Sequence, residues 1–114
     1  MMDGFTAYRL TFFVPIRHAE KVKKAIFQSG AGSEKGYAES CWEVLGVGQF
    51  VPQQTSTPYI GKVGERSLVP ELRVETICPR KKVEAVIEAL IESHPYEVPA
   101  YDLKPIYRLG ELPD

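Results

Sequence analysis

The sequence predicts an α+β sandwich of element order β-α-β-β-α-β, two similar halves of strand, helix and strand. Three observations carry that expectation. Apolar and polar residues alternate with period two in four short stretches, two intervening stretches repeat their apolar positions at helical spacing, and glycine or proline punctuates almost every junction.

The first strand is read from Tyr8, Leu10, Phe12 and Val14, which alternate with Arg9, Thr11 and Phe13 before Pro15 closes the run. From about Arg17 to Ser29 the positions Ala19, Val22, Ala25, Ile26 and Ser29 form one helical face. Glu20, Lys21, Lys23, Lys24 and Gln28 take the wet face. Gly30 stands where a left-handed cap residue is wanted.

A second strand is expected over Tyr37 to Val47, where Ala38, Ser40, Trp42 and Val44 oppose Tyr37, Glu39, Cys41, Glu43 and Leu45. The third strand is expected near Glu71 to Cys78, with Glu71, Arg73 and Glu75 on a wet face. Val83, Val86, Ile87, Leu90 and Ile91 make the clearest helical stripe, which must stop at His94 because Pro95 follows. Tyr101 and Leu103 mark a fourth strand that fades at Pro105, and Gly110 to Asp114 read as a loose tail. With right-handed crossovers this order gives a four-stranded antiparallel sheet with both helices on one face, the ferredoxin-like arrangement. The other face is left open, and Phe13 and Trp42 are heavy apolar groups for it to carry, so self-association is expected.

At 114 residues the chain is one domain, 1–114, with an ordered core over about 5–108 and a long connection over about 48–70. A formal net charge of −1 offers no field to recruit nucleic acid or an anionic membrane surface. No apolar run reaches the length of a membrane span, and Met1-Met2-Asp3-Gly4 lacks the features of a secretion signal, so a cytoplasmic location is expected. Cys41 and Cys78 fall in strand-like segments and read as buried free thiols, since neither has a visible base or an electropositive setting.

Two stretches carry the candidate chemistry. His94-Pro95-Tyr96-Glu97-Val98-Pro99 places an imidazole, a phenol and a carboxylate on a turn stiffened by prolines. On one reading His94 caps the last helical carbonyls, Tyr96 packs and Glu97 accepts backbone amides. On the other, His94 and Glu97 are two ligands of a copper or zinc ion, completed by Cys78 or by a neighbouring subunit. The second stretch, Gly46-Val47-Gly48-Gln49-Phe50-Val51-Pro52, opens the long connection. Its glycines suggest a phosphate cradle, but no helix follows and no Gly-Lys-Ser/Thr ending is present.

Together Gly30-Ala31-Gly32, Gly36-Tyr37, Cys41, Gly46-x-Gly48-x-Phe50-x-Pro52, Pro58, Ile60-Gly61, Glu71-x-Arg73-x-Glu75 and His94-Pro95-Tyr96-Glu97 resemble the inserted domain of the Nif-three-like proteins. The resemblance runs from about Tyr8 to Ile106 and implies a CutA/PII-like fold that assembles as trimers; the His94–Pro99 corner is also similar to that of CutA. Ser33-Glu34-Lys35 and Gln53-Gln54-Thr55-Ser56-Thr57 depart from the family pattern. Nif-three-like enzymes, resembling a type-two GTP cyclohydrolase, carry a dinuclear metal centre on lobes that flank the insert. Those lobes have no counterpart in these residues, and His18 and His94 are the only histidines.

The resemblance therefore implies a fold and not a catalytic centre, and no catalytic residue or cofactor is expected. The expected function is a non-catalytic, trimeric CutA/PII-like binding or regulatory module. It would hold a small ligand or protein partner at intersubunit clefts, near His94, Tyr96, Glu97, Gly48, Phe50 and Pro52. The alternatives are a CutA-type divalent-metal protein that uses His94 and Glu97, and a hydrolase whose site forms only in the oligomer.

Overall fold

The computed structural model describes residues 4–108; the tail expected at Gly110 to Asp114 lies outside them. In chain order the elements are β1 (Ala7–Pro15), α1 (Ala19–Gln28), β2 (Cys41–Phe50), β3 (Ser67–Pro79), α2 (Val83–Ser93) and β4 (Tyr101–Ile106). The strands form one sheet of order β2-β3-β1-β4 in which every neighbouring pair is antiparallel. This is the ferredoxin-like arrangement that the sequence predicts.

The two halves enter their helices by the same device. Each of the first two sheet-centre strands ends on a proline, Pro15 at φ −55° and ψ 142° and Pro79 at φ −55° and ψ 137°, and one 3-10 turn follows before the α-helix. Proline's fixed φ and missing N–H suit a residue that ends a strand and opens a helical turn. α1 then closes in a Schellman motif. Gly30, at φ +124°, donates to the Phe27 carbonyl at 3.2 Å, and Ala31 donates to the Ile26 carbonyl at 3.0 Å.

The core lies between the sheet and the helices. Leu10, Phe12 and Val14 of β1 and Val74 and Cys78 of β3 are fully buried against Val22 and Ile26 of α1 and Val86 and Leu90 of α2. Truncating Phe12 to alanine there would cost on the order of 3–5 kcal/mol.

β2 departs from its expected bounds at both ends. It begins at Cys41 because Lys35 and Glu39 take positive φ values of 48° and 56°, and Glu34 and Tyr37 close a small isolated bridge that turns the chain before the strand starts. It runs to Phe50, so Gly46-Val47-Gly48 lies inside a strand paired with β3 and not in a phosphate-binding turn. β3 likewise starts four residues before Glu71, at Ser67.

The result is an overhang. Pairing of β1 with β3 stops at Pro15 opposite Glu71, while β2 and β3 continue together from Gly46 opposite Glu71 to Phe50 opposite Ser67. Pro70, which has no N–H for a ladder, sits in this overhang where β3 has one neighbour instead of two. The molecule is elongated accordingly, 50 × 31 × 23 Å, with a radius of gyration of 15.8 Å, against roughly 13 Å for a compact chain of this size. No helix among the described residues is long and apolar enough to cross a membrane.

Candidate functional site

Alternation along the strands places Phe13 of β1, Glu71 of β3 and Gly46 and Gly48 of β2 on the sheet face that the helices do not cover. The chain from residue 51 to 66, between β2 and β3, folds over one end of this face. Together with the corner after α2 it encloses a cavity of about 380 Å³, lined among others by Phe13, Gly48, Phe50, Pro52, Tyr59, Glu71, Tyr96 and Glu97.

Glu71 is the buried acidic residue of this lining. The residue is only 8% exposed, and its Oε2 accepts a 2.6 Å hydrogen bond from the Tyr96 hydroxyl. Burying a carboxylate requires such a partner, because the lost hydration of the charge must be replaced. Burial, and then the hydrogen bond and negative charge of Glu71, push the Tyr96 phenol well above its ordinary value of 10.0, so it stays a donor. The Glu71 side chain finds room because residue 48 is glycine. A Cβ there would stand 2.1 Å from Glu71 Oε1.

His94 stands behind the cavity wall and does not line it. Its Nδ1 accepts the Tyr96 amide at 3.1 Å, and its Nε2 lies 2.7 Å from the Phe13 carbonyl. An amide can only donate and a carbonyl can only accept, so the ring is neutral with its proton on Nε2. Burial holds its pKa below the ordinary 6.5, against the opposing pull of the Phe13 carbonyl and Glu71. The His94 ring thus ties the corner to β1, while its backbone amide caps α2 by donating to the Leu90 carbonyl at 3.0 Å and Ser93 Oγ donates to the Ala89 carbonyl at 2.7 Å.

The donor pair of His94 and Glu97 does not fit a copper or zinc ion in this geometry. Both His94 nitrogens are engaged, and Glu97 Oε1 accepts the Thr57 amide at 3.1 Å. Among the described residues no group of three or more His, Cys, Asp or Glu is placed to hold a metal. Cys78 is buried, and burial pushes its thiol up to about 11. Cys41 is exposed, not buried as expected, because the edge position of β2 leaves it uncovered.

The connection over the cavity is pinned at both flanks. Thr57 bonds to Glu97, Tyr59 Oη lies 2.8 Å from His18 Nε2, and the Gly64 amide donates to the Pro52 carbonyl at 2.8 Å. Five of the six residues singled out in the sequence, Gly48, Phe50, Pro52, Tyr96 and Glu97, therefore meet in one cavity, and His94 supports it from behind. Phe13, Tyr59 and Glu71 were missed as site residues. Glu71 carried the one available signal, an acidic residue facing a glycine pair in the adjacent strand.

Chemically the lining offers aromatic rings, carboxylate oxygens and few hydrogen-bond donors. The Ser56 hydroxyl is committed to the Gln53 carbonyl at 2.8 Å. Among the described lining residues no nucleophile is aligned with a base.

No family model matches the sequence. The chain is 41% identical over 104 residues to the GTP cyclohydrolase 1 type 2 homolog of Halalkalibacterium halodurans, covering 91% of this chain and 28% of that protein. It is 42% identical over 98 residues to the Bacillus subtilis homolog, covering 86% of this chain and 26% of that protein. It thus spans about a quarter of the length of the curated relatives it matches. Among solved structures, the Bacillus cereus protein related to NIF3 superposes with a TM-score of 0.78 at 36% identity, over 97% of this chain and 28% of that one. The periplasmic divalent cation tolerance protein CutA of Archaeoglobus fulgidus gives a TM-score of 0.63 at 15% identity, over 90% of this chain and 85% of that one. The Bacillus subtilis GlnK–ATP complex gives 0.60 at 14% identity, over 93% and 85%. The last two establish a shared fold. The chain is therefore homologous to one domain-sized segment of the NIF3-related GTP cyclohydrolase 1 type 2 homologs, and that segment has the CutA/PII-like fold.

Proposed function

We propose that this chain is a non-catalytic CutA/PII-like module that binds a small ligand in the cavity over Glu71 and assembles as a homotrimer. The observation that carries the reading is the cavity itself. It has a buried carboxylate in its lining, walls drawn from three strands and the corner, and a roof anchored on both sides.

Self-association is supported by β2. This edge strand leaves Trp42 59% exposed on one face and Leu45 62% and Val47 70% exposed on the other, apolar groups along an unpaired sheet edge that a solitary chain would have to keep from pairing at random. A second copy covers it most simply. The GlnK structure of this fold is an ATP complex, which supports ligand binding as a use of the scaffold. The activity named for the GTP cyclohydrolase homologs is not assigned to this segment.

Two measurements test the reading. Sedimentation velocity at micromolar concentration should return a trimer, and Trp42→Glu should dissociate it; a stable wild-type monomer would remove the assembly. Amide NMR against a fragment set of mixed charge should move Gly48, Phe50, Tyr96 and Glu97 together. A set that moves none of them would remove the cavity as a site.

A further inference from the structure

We infer that the cavity takes an organic cation, an ammonium group on an apolar body, held between aromatic rings and the carboxylates of Glu71 and Glu97. The inference deepens the binding function proposed above and rests on it.

Four rings, Phe13, Phe50, Tyr59 and Tyr96, contribute to the lining, with Phe50 and Tyr96 edge-to-face at 6.0 Å between centroids. The face of such a ring carries negative potential and attracts a weakly hydrated cation. Glu71 adds a buried carboxylate to the lining and Glu97 a second, exposed one.

Among the described residues neither carboxylate has a positive partner. Glu71 accepts from the neutral Tyr96 hydroxyl and Glu97 from the Thr57 amide, and neither is ion-paired among the described residues. No lysine, arginine or histidine among the described residues lines the cavity. A buried charge is ordinarily neutralised by a countercharge. Here the protein supplies the acidic half and the aromatic walls, and a bound ligand would supply the positive half.

The same lining argues against other ligand classes. A phosphate or carboxylate group would meet two carboxylates and no basic side chain. A small hard cation such as magnesium or calcium needs six or more oxygens, and the mostly aromatic and aliphatic lining offers carbon in place of most of that shell. An alkylated ammonium needs neither a full oxygen shell nor directional bonds, and the volume suits a body of metabolite size.

The test is an amide NMR titration of the full chain with three probes of one shape: choline, its uncharged tert-butyl isostere and the matching tert-butyl carboxylate. Choline should shift Gly48, Phe50 and Tyr96 and bind at least about tenfold tighter than the uncharged isostere. Glu71→Gln keeps an acceptor for the Tyr96 hydroxyl and should abolish that preference, choline and the uncharged isostere then binding alike. Should that variant fold poorly, Glu97→Gln should reduce the same preference. If the uncharged or anionic probe binds at these residues as well as choline, cation selectivity is wrong and the binding function stands. If no probe of any charge shifts them, both are overturned.

Discussion

The Glu71 carboxylate occupies the space in which a side chain at residue 48 would begin: a Cβ on Gly48 would lie 2.1 Å from Glu71 Oε1 and 2.7 Å from its carboxyl carbon. The two residues belong to adjacent strands, so neither backbone can retreat without breaking the ladder. Gly48 is thus required by its neighbour and not by its own φ.

Gly48→Ala is therefore expected to push Glu71 off the Tyr96 hydroxyl and to destabilise the fold by about 1–3 kcal/mol, the usual cost of overpacking. Adding Glu71→Ala should restore part of that loss. Denaturant unfolding of the two single variants and the double variant measures the coupling, and simple additivity would show that the two residues do not compete for space.

Tyr96→Phe removes the donor to Glu71 and leaves a buried carboxylate oxygen without its partner, at a cost of about 1–3 kcal/mol. Ultraviolet titration gives a second readout. The Tyr96 phenol should resist ionisation beyond the ordinary range, and Glu71→Gln should bring it part of the way down, burial remaining. A Tyr96 that titrates in the ordinary phenol range would contradict the buried Tyr96–Glu71 pair.

Stability should fall on mild acidification because of His94. Its folded-state pKa lies below its ordinary value of 6.5, so below that pH the unfolded chain takes up a proton that the folded chain refuses. The loss begins near the unfolded pKa, steepens to at most about 1.4 kcal/mol per pH unit for one group, and ends once the folded pKa is passed. His94→Gln should remove this slope between about pH 7 and pH 5.5, leaving the carboxylate titrations at lower pH. Denaturation midpoints across that range decide it, and an unchanged slope in the variant would exclude His94 as the source.

Calorimetric titration of copper and zinc into the wild type and into His94→Ala should give equal affinities, because both ring nitrogens are already hydrogen-bonded within the fold. A clear loss of affinity in the variant would mean that the corner opens to release a nitrogen and would revive the metal-binding alternative.

How much was legible follows the range of the forces involved. The alternation of β1 and the stripe of α2 are local properties of side-chain order, and both elements lie where the pattern puts them. The start of β2 was misplaced because Tyr37 to Ser40 has strand-like composition, yet the positive φ values of Lys35 and Glu39 turn the chain away first. Glu71 alternates as though it faced water. Its burial comes from a connection that lands on the open sheet face and from Tyr96, 25 residues away. His94 was placed correctly at the end of α2, but its bond to Phe13 spans 81 residues, a pairing that only the folded topology creates.

Trp42 is the only tryptophan in the chain, and it stands 59% exposed on the edge strand while the cavity is walled by phenylalanine and tyrosine. Its emission is therefore an intrinsic reporter of what happens at that edge. Burial there would shift the indole spectrum to the blue, whereas filling the cavity would be read in tyrosine absorbance. One unlabelled sample can thus report assembly and occupancy on separate optical channels.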